Sequence, residues 1–299
     1  MNKLSVLLLS SNTYPSVRNS KVQKKLMLKN NNEEIYWYKQ GSKNILKNSE
    51  AKLVNNDLYL NVNDDSMSMG YKTIEAFRWM YENSEFDYLF RTNTSSYLSI
   101  ENLNKFIEEN FTNKEFVYSG LIHDTKDAKG NKIYFASGSG YLLNRRVIKL
   151  VLENSNLWEH QYWDDVSLAL LLKKFNISPT QGKRFDISGN PYKQHIDKSN
   201  YHFRCRVDNH YGYPRFLEIY VIKYLHRIFN DKNEFILTKK AKSFLFELCK
   251  LFYIHQFGWK IFSLIRSVLR FILPTKIYKL VKSILSKKIE KFKLVRFKT

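Results

Sequence analysis

Short apolar runs alternate with amphipathic ones through the first two thirds of the chain. Leu4–Ser10, Glu34–Tyr38 and Leu58–Asn61 read as strands and Val17–Lys29 as a helix. Met69–Asn83 carries Ile74, Phe77, Met80 and Tyr81 at helical spacing. Phe86–Phe90 reads as a short buried strand that stops on the polar run Arg91-Thr92-Asn93-Thr94-Ser95-Ser96. Helices are predicted over Ile100–Asn110, Arg145–Glu153 and Asp164–Phe175, a strand over Glu115–Ile122, a polar hairpin tip over Thr125–Asn131, and a glycine-punctuated turn within Ile133–Leu143. This alternation predicts an α/β layered domain. After Pro214 the pattern turns all-helical, over Phe216–Phe229, Phe257–Ile272 and Lys276–Phe292, so the chain is divided into 1–214 and a helical extension 215–299.

Composition narrows the class. Of 299 residues 43% are hydrophobic, with 21 Phe and 20 Tyr against 10 Gly and 5 Pro, which excludes a low-complexity or disordered chain. Two cysteines, Cys205 and Cys249, exclude a disulfide-stapled module. Charge is uneven: residues 239–299 carry sixteen basic and two acidic side chains, +14 of the formal +21. Basic residues oppose an apolar stripe on both final helices, the pattern of a helix lying on an anionic membrane surface or of a helical cap with a solvated lysine face. Leu251–Leu273 is interrupted by Lys260, Arg266 and Arg270, so no span is expected. Leu4–Leu9 is too short for a signal segment and reads as the first strand.

Four constellations could carry chemistry. The run Arg91–Ser96 ends a strand, where open α/β sheets bind ligands, or it forms a plain turn. Ser137-Gly138-Ser139-Gly140-Tyr141 allows close backbone approach to a ligand, or a bulge. Trp163-Asp164-Asp165-Val166 opens a helix: one carboxylate suits the helix dipole, and a second beside a large aromatic suits a proton acceptor. Tyr201-His202-Phe203-Arg204-Cys205-Arg206 could hold phosphate or form a charged strand edge. Asp64-Asp65, in an Asn/Asp/Ser-rich stretch, reads as a turn for which a metal role is conceivable.

Order and spacing say more than each motif alone. The succession Phe86–Thr92, then Tyr134-Phe135-Ala136 through Tyr141-Leu142-Leu143, then Asp164-Asp165-Val166 and Phe175-Asn176-Ile177, resembles the β-1,3-galactosyltransferases and Fringe-like glycosyltransferases. Lys72-Thr73 is similar to that family's lysine–threonine step, and the resemblance covers roughly Leu4 to Arg206. It implies a GT-A fold, a nucleotide-binding α/β sandwich with a mostly parallel sheet, inverting transfer, and a nucleotide-sugar donor, usually a uridine diphosphate sugar. By position Asp165 matches the family's general base, and Arg18 approximates an early nucleotide-side arginine. Ser137, Gly138, Ser139, Gly140 and Tyr141, with Trp163 and Asp164, would close over donor sugar and acceptor.

One departure is chemical. Asn93-Thr94-Ser95 stands where the family usually has an Asp-x-Asp triplet, and neutral side chains are poor ligands for Mn²⁺ or Mg²⁺. No metal ligand is assigned: either the ion is gone or other groups hold it weakly. Fixed cations, among them Lys72, Arg91, His202, Arg204 and Arg206, would then meet the diphosphate, with Thr92, Asn93 and Ser95 bonding the nucleotide. The expected partners are a nucleotide-sugar donor, a glycan or lipid-linked acceptor of surface polysaccharide synthesis and an anionic membrane surface, without nucleic acid. The expected location is cytoplasmic, on the inner face of the cell membrane. Two rival classes are a non-catalytic sugar-nucleotide-binding or scaffold relative and, from the charge, a nucleic-acid binder.

Overall fold

The computed structural model describes residues 2–28, 34–127, 130–208, 213–230 and 236–254. It divides into two compact units, Met1–Glu247 and Leu248–Thr299. The two basic helices expected at Phe257–Ile272 and Lys276–Phe292 lie outside the described residues.

The first unit begins β1 (Leu4–Leu9), α1 (Ser16–Met27), β2 (Glu34–Gln40), α2 (Lys43–Leu46), β3 (Ala51–Val54) and β4 (Asp57–Leu60). It continues α3 (Met69–Asn83), β5 (Tyr88–Asn93), β6 (Ser96–Leu98), α4 (Ile100–Phe111), β7 (Tyr118–Lys126) and β8 (Lys132–Asn144). Then come α5 (Arg145–Glu153), α6 (Asp164–Lys173), β9 (Thr180–Gln181), β10 (Arg184–Asp186), β11 (His202–Arg204), α7 (Glu218–Asn230) and α8 (Ile236–Ile254), the last of which runs across the division.

Eight strands form one sheet in the order β3-β4-β2-β1-β5-β8-β7-β9, and a small sheet follows the order β10-β11-β6. The centre is parallel, β4-β2-β1-β5, with β8 antiparallel beside β5. Strand alternation feeds two core layers. Leu7, Leu89, Tyr141 and Leu143 face α3, α5 and α6, while Val6, Leu8, Phe90 and Leu142 face the layer holding Leu103, Phe106 and Ile107 of α4. Both faces are covered, as a parallel sheet requires.

Local chemistry fixes the elements. Ile74, Phe77 and Met80 bury one stripe of α3. Asn144 caps α5 by accepting from the Val147 amide at 3.1 Å. Three expectations are corrected. Strand β5 runs three residues past Phe90, because Arg91 and Thr92 pair with Leu7 and Leu8 of β1 and with Tyr141 and Gly140 of β8. The turn expected within Ile133–Leu143 is instead one long strand with an irregularity, the bulge that Ser137–Tyr141 also allowed: pairing with β7 steps from Gly120–Tyr141 to Ile122–Ala136, and neither Gly138 nor Gly140 has a positive φ. The stretch around His202 is no strand edge: β11 is the middle strand of its sheet. Helix α7 packs on α1, and its Glu218 is buried against Asn19.

Candidate active site

A cleft of roughly 370 Å³ opens at the carboxyl ends of β1 and β5, the place where open α/β sheets take ligands. Its floor is Leu9-Ser10-Ser11 and Asn93-Thr94-Ser95, one wall is Asp64, Asp65, Ser66, Met69 and Lys72, and Arg204, Arg206 and Arg215 also line it. Of the residues expected to hold a donor, Lys72, Asn93, Ser95 and Arg204 are brought together here, with Arg206. The arginines arrive by strand alternation: Phe203, Cys205 and Val207 point into the interior at 0% exposure, which leaves Arg204 and Arg206 on the opposite side.

Hydrogen bonds define what the cleft can hold. Lys72 Nζ meets Asp64 Oδ1 at 2.5 Å, and that carboxylate also accepts from the Asn12 and Gln40 amides at 3.0 and 3.1 Å. Asp65 accepts from the Ser68 amide at 2.7 Å and from Ser68 Oγ at 3.0 Å, ahead of α3. Asn93 Oδ1 accepts from the Ser95 amide at 2.9 Å, Thr94 Oγ1 bonds Ser16 Oγ at 3.0 Å, and Ser95 Oγ donates to Glu218 at 2.7 Å. The oxygens of 93–95 are therefore engaged internally, and the nearby carboxylates are paired with a lysine or used as a cap. These residues do not fit a divalent cation.

Arg91, Thr92 and His202 do not line the cleft. Arg91 is 1% exposed, with Nε donating to Tyr38 at 2.9 Å, Nη1 to the Gly138 carbonyl and Nη2 to Asp164 at 2.5 Å. Burial works against its charge, but Asp164, Tyr38 and Tyr141 together keep the guanidinium protonated. Asp164, also buried, accepts from Thr73 Oγ1 at 3.1 Å. This ion pair ties β5, β8, α3 and the head of α6 into one node. Thr92 Oγ1 donates to the Ser139 carbonyl at 2.6 Å. His202 is 1% exposed, 3.1 Å from Ser96 Oγ and 3.4 Å from Thr92 Oγ1, and burial with Arg184 and Arg204 nearby holds it neutral. It cannot serve as the cation that the sequence suggested.

The glycines of Ser137–Tyr141 serve close approach. A Cβ on Gly138 would lie 2.9 Å from Asp165 Oδ2, and one on Gly140 would overlap the His202 ring. Ser137 bonds Ser139 at 3.1 Å, Ser139 Oγ accepts from Arg184, and Tyr141 is buried, its ring 5.4 Å from the Arg91 guanidinium. Asp165 is half-buried, with Oδ2 accepting from the Gly138 amide at 2.6 Å and Oδ1 from the Val166 amide at 2.9 Å. Burial, then the charge of Asp164, raises its proton affinity above the ordinary aspartate value, against those bonds and Arg91. Trp163 beside it is 62% exposed. Asp165 is not among the cleft-lining residues; it is its neighbour Asp164 that bonds Thr73, on the helix whose Met69 and Lys72 line the cleft. Arg18, half-buried in α1, does not line the cleft.

Sequence reasoning missed Asp64 as the partner of Lys72, and it missed Arg184, Arg215 and Glu218. Only the last two left a local signal, an arginine and a glutamate three apart at a helix start.

The site thus consists of a polar cleft at the carboxyl ends of a mostly parallel sheet and a carboxylate of raised proton affinity heading a nearby helix. Residues 39–183 match the model of the family described as Galactosyltransferase. The match takes in Lys72, Arg91–Ser95, Ser137–Tyr141, Trp163, Asp164 and Asp165, but not Arg18, His202, Arg204 or Arg206. Two curated relatives carry the name UDP-GalNAc:beta-1,3-N-acetylgalactosaminyltransferase 2. The one from Xenopus laevis is 22% identical over 152 residues, 47% of this chain and 31% of that protein. The one from Homo sapiens is 23% identical over 137 residues, 42% of this chain and 27% of that protein. The chain thus spans less than a third of either relative's length. Among solved structures, a glycosyltransferase involved in glycosylation of the major capsid of PBCV-1 aligns with a TM-score of 0.43 at 8% identity, over 74% of this chain and 99% of that one.

Proposed function

We propose that the chain transfers a hexose, with inversion, from a nucleoside diphosphate sugar to a glycan hydroxyl, Asp165 acting as the base. One observation carries this reading: two adjacent aspartates have opposite surroundings. Asp164 is locked to a buried arginine, whereas Asp165 keeps a half-buried carboxylate with raised proton affinity at the end of the donor-side framework. In the step, the acceptor oxygen attacks the anomeric carbon and passes its proton to Asp165. The bond from that carbon to the diphosphate oxygen breaks, and its electron pair leaves with the diphosphate. Lys72, Arg204 and Arg206, which line the cleft, offset the charge that develops there.

The relatives' names support a uridine diphosphate donor and a β-1,3 linkage. The sixteen basic residues of 239–299 support a chain held at an anionic membrane surface on the cytoplasmic side, where a lipid-linked glycan of a surface polysaccharide would be extended. Among the described residues no helix is long and apolar enough to cross a membrane. The test is turnover of a panel of nucleotide sugars with a hydroxyl acceptor, read by nucleoside diphosphate release and by the anomeric configuration of the product. Release with an inverted product is expected. No release with any donor, or retention of configuration, refutes the proposal.

A further inference from the structure

Beyond residue 183, where the family match ends, one side chain reaches the donor cleft from an unexpected quarter. Arg215 sits in a single 3₁₀ turn, Arg215–Leu217, just ahead of α7. Its Nη2 donates to Ser95 Oγ at 2.9 Å and its Nε to Glu218 Oε1 at 2.7 Å. Glu218 is 0% exposed, and its Oε2 also accepts from Ser95 Oγ at 2.7 Å and from Asn19 Nδ2 at 2.6 Å. A buried carboxylate anchored by three elements therefore holds the guanidinium against one cleft residue.

That residue is the last of Asn93-Thr94-Ser95, the run that stands where the acidic triplet of the family would be. A carboxylate at 95 would lie beside the buried carboxylate of Glu218, whereas a hydroxyl bridges Glu218 and Arg215 by donating to one and accepting from the other. Arg215 Nη1 has no hydrogen bond among the described residues, and the side chain is one third exposed on the cleft. A guanidinium presents paired donors that match phosphate oxygens, and its charge does not titrate.

We infer that Arg215 is the cation that meets the donor's diphosphate at the position where the family's triplet would hold a metal ion, and that Glu218 is the residue that positions it. The inference rests on the donor reading of the cleft given above.

The test is calorimetric binding of a panel of nucleoside diphosphates to the full chain, in EDTA and in Mn²⁺. The wild type binds at least one of them with the same Kd under both conditions. Arg215→Ala weakens that binding about 10- to 100-fold, the usual range for losing a charge-assisted hydrogen bond, and Arg215→Lys recovers part of it. Binding of the matching nucleoside without phosphates does not change, which separates lost phosphate contact from a damaged fold. Glu218→Gln weakens binding in the wild type and adds nothing in the Arg215→Ala background, the coupling expected of a positioning residue. Undiminished binding by Arg215→Ala, or a wild type that binds only with Mn²⁺, overturns the inference while leaving the donor reading intact. A wild type that binds no nucleoside diphosphate in either condition overturns both.

Discussion

Replacing Asp164 by asparagine removes the negative charge that Arg91 Nη2 meets at 2.5 Å, while the guanidinium stays 1% exposed. Breaking a buried pair from one side costs about 3–5 kcal/mol, because the remaining charge is uncompensated. Arg91 keeps its bonds to Tyr38 and the Gly138 carbonyl, and the asparagine oxygen can still accept one hydrogen bond, so the low end, about 3 kcal/mol, applies. For a unit of this size that corresponds to a fall in Tm of about 6–12 °C. Asp165→Asn perturbs a different quantity. Its carboxylate is bound by two backbone amides and already resists ionisation, so removing the charge relieves desolvation while forfeiting one amide bond. These effects offset each other to within about 1 kcal/mol. Activity should instead fall about 10²–10⁴-fold, the usual contribution of a positioned base.

The assay pairs calorimetric melting with initial rates of nucleoside diphosphate release, for both variants and the wild type. Asp164→Asn should melt early, and Asp165→Asn should melt like the wild type yet turn over slowly. The opposite assignment, with Asp165→Asn unstable and Asp164→Asn stable but inactive, refutes the division of roles. Equal activity of Asp165→Asn and the wild type refutes Asp165 as the base.

Two further outcomes follow from the same geometry. Gly140→Ala drives a methyl into the buried His202 ring and should destabilise the fold by about 1–3 kcal/mol, seen as an earlier melt, whereas Gly138→Ala pushes on the Asp165 carboxylate and should lower the rate more than the Tm. The rate should rise with pH as Asp165 loses its proton. Because its proton affinity is raised in the folded chain, the acidic limb of kcat/KM should lie above the ordinary aspartate range; a limb at or below that range, or one unchanged in Asp165→Glu, contradicts the assignment.

Much of the fold was legible because its signals are local. The helices Met69–Asn83 and Arg145–Glu153 were readable from apolar spacing, and the structure ends both where the sequence does. The run after Phe90 was misread for a physical reason. Arg91 and Thr92 look like the start of a loop until Tyr38, Asp164 and the Gly138 and Ser139 carbonyls, all more than forty residues away, supply their partners. The glycines at 138 and 140 suggested a turn, a bulge or close approach; the register shift opposite them bears out the bulge, while no local pattern shows that a carboxylate and an imidazole from other elements press on them. His202 looked cationic in a basic cluster, and only its burial shows that it stays neutral. The site was legible as a set of residue types in order, and not as a set of contacts.

If Asp165 is the base, the adjacency of Asp164 and Asp165 lets one helix start both brace the fold and accept a proton. A base must be ionised in solution yet hold a proton well enough to take it from an alcohol, so its proton affinity should be raised moderately. Burial and the charge of Asp164 push that of Asp165 upward, while the Gly138 amide and, across the ion pair, Arg91 pull it back. Asp164 and Arg91 thus act on Asp165 in opposite directions, Asp164 raising its proton affinity and Arg91 lowering it. The buried pair therefore modulates the proton affinity of the half-buried carboxylate, which burial raises most. The same arginine grips the Gly138 carbonyl while Asp165 grips the Gly138 amide, so position and proton affinity depend on one strand residue that has no side chain of its own.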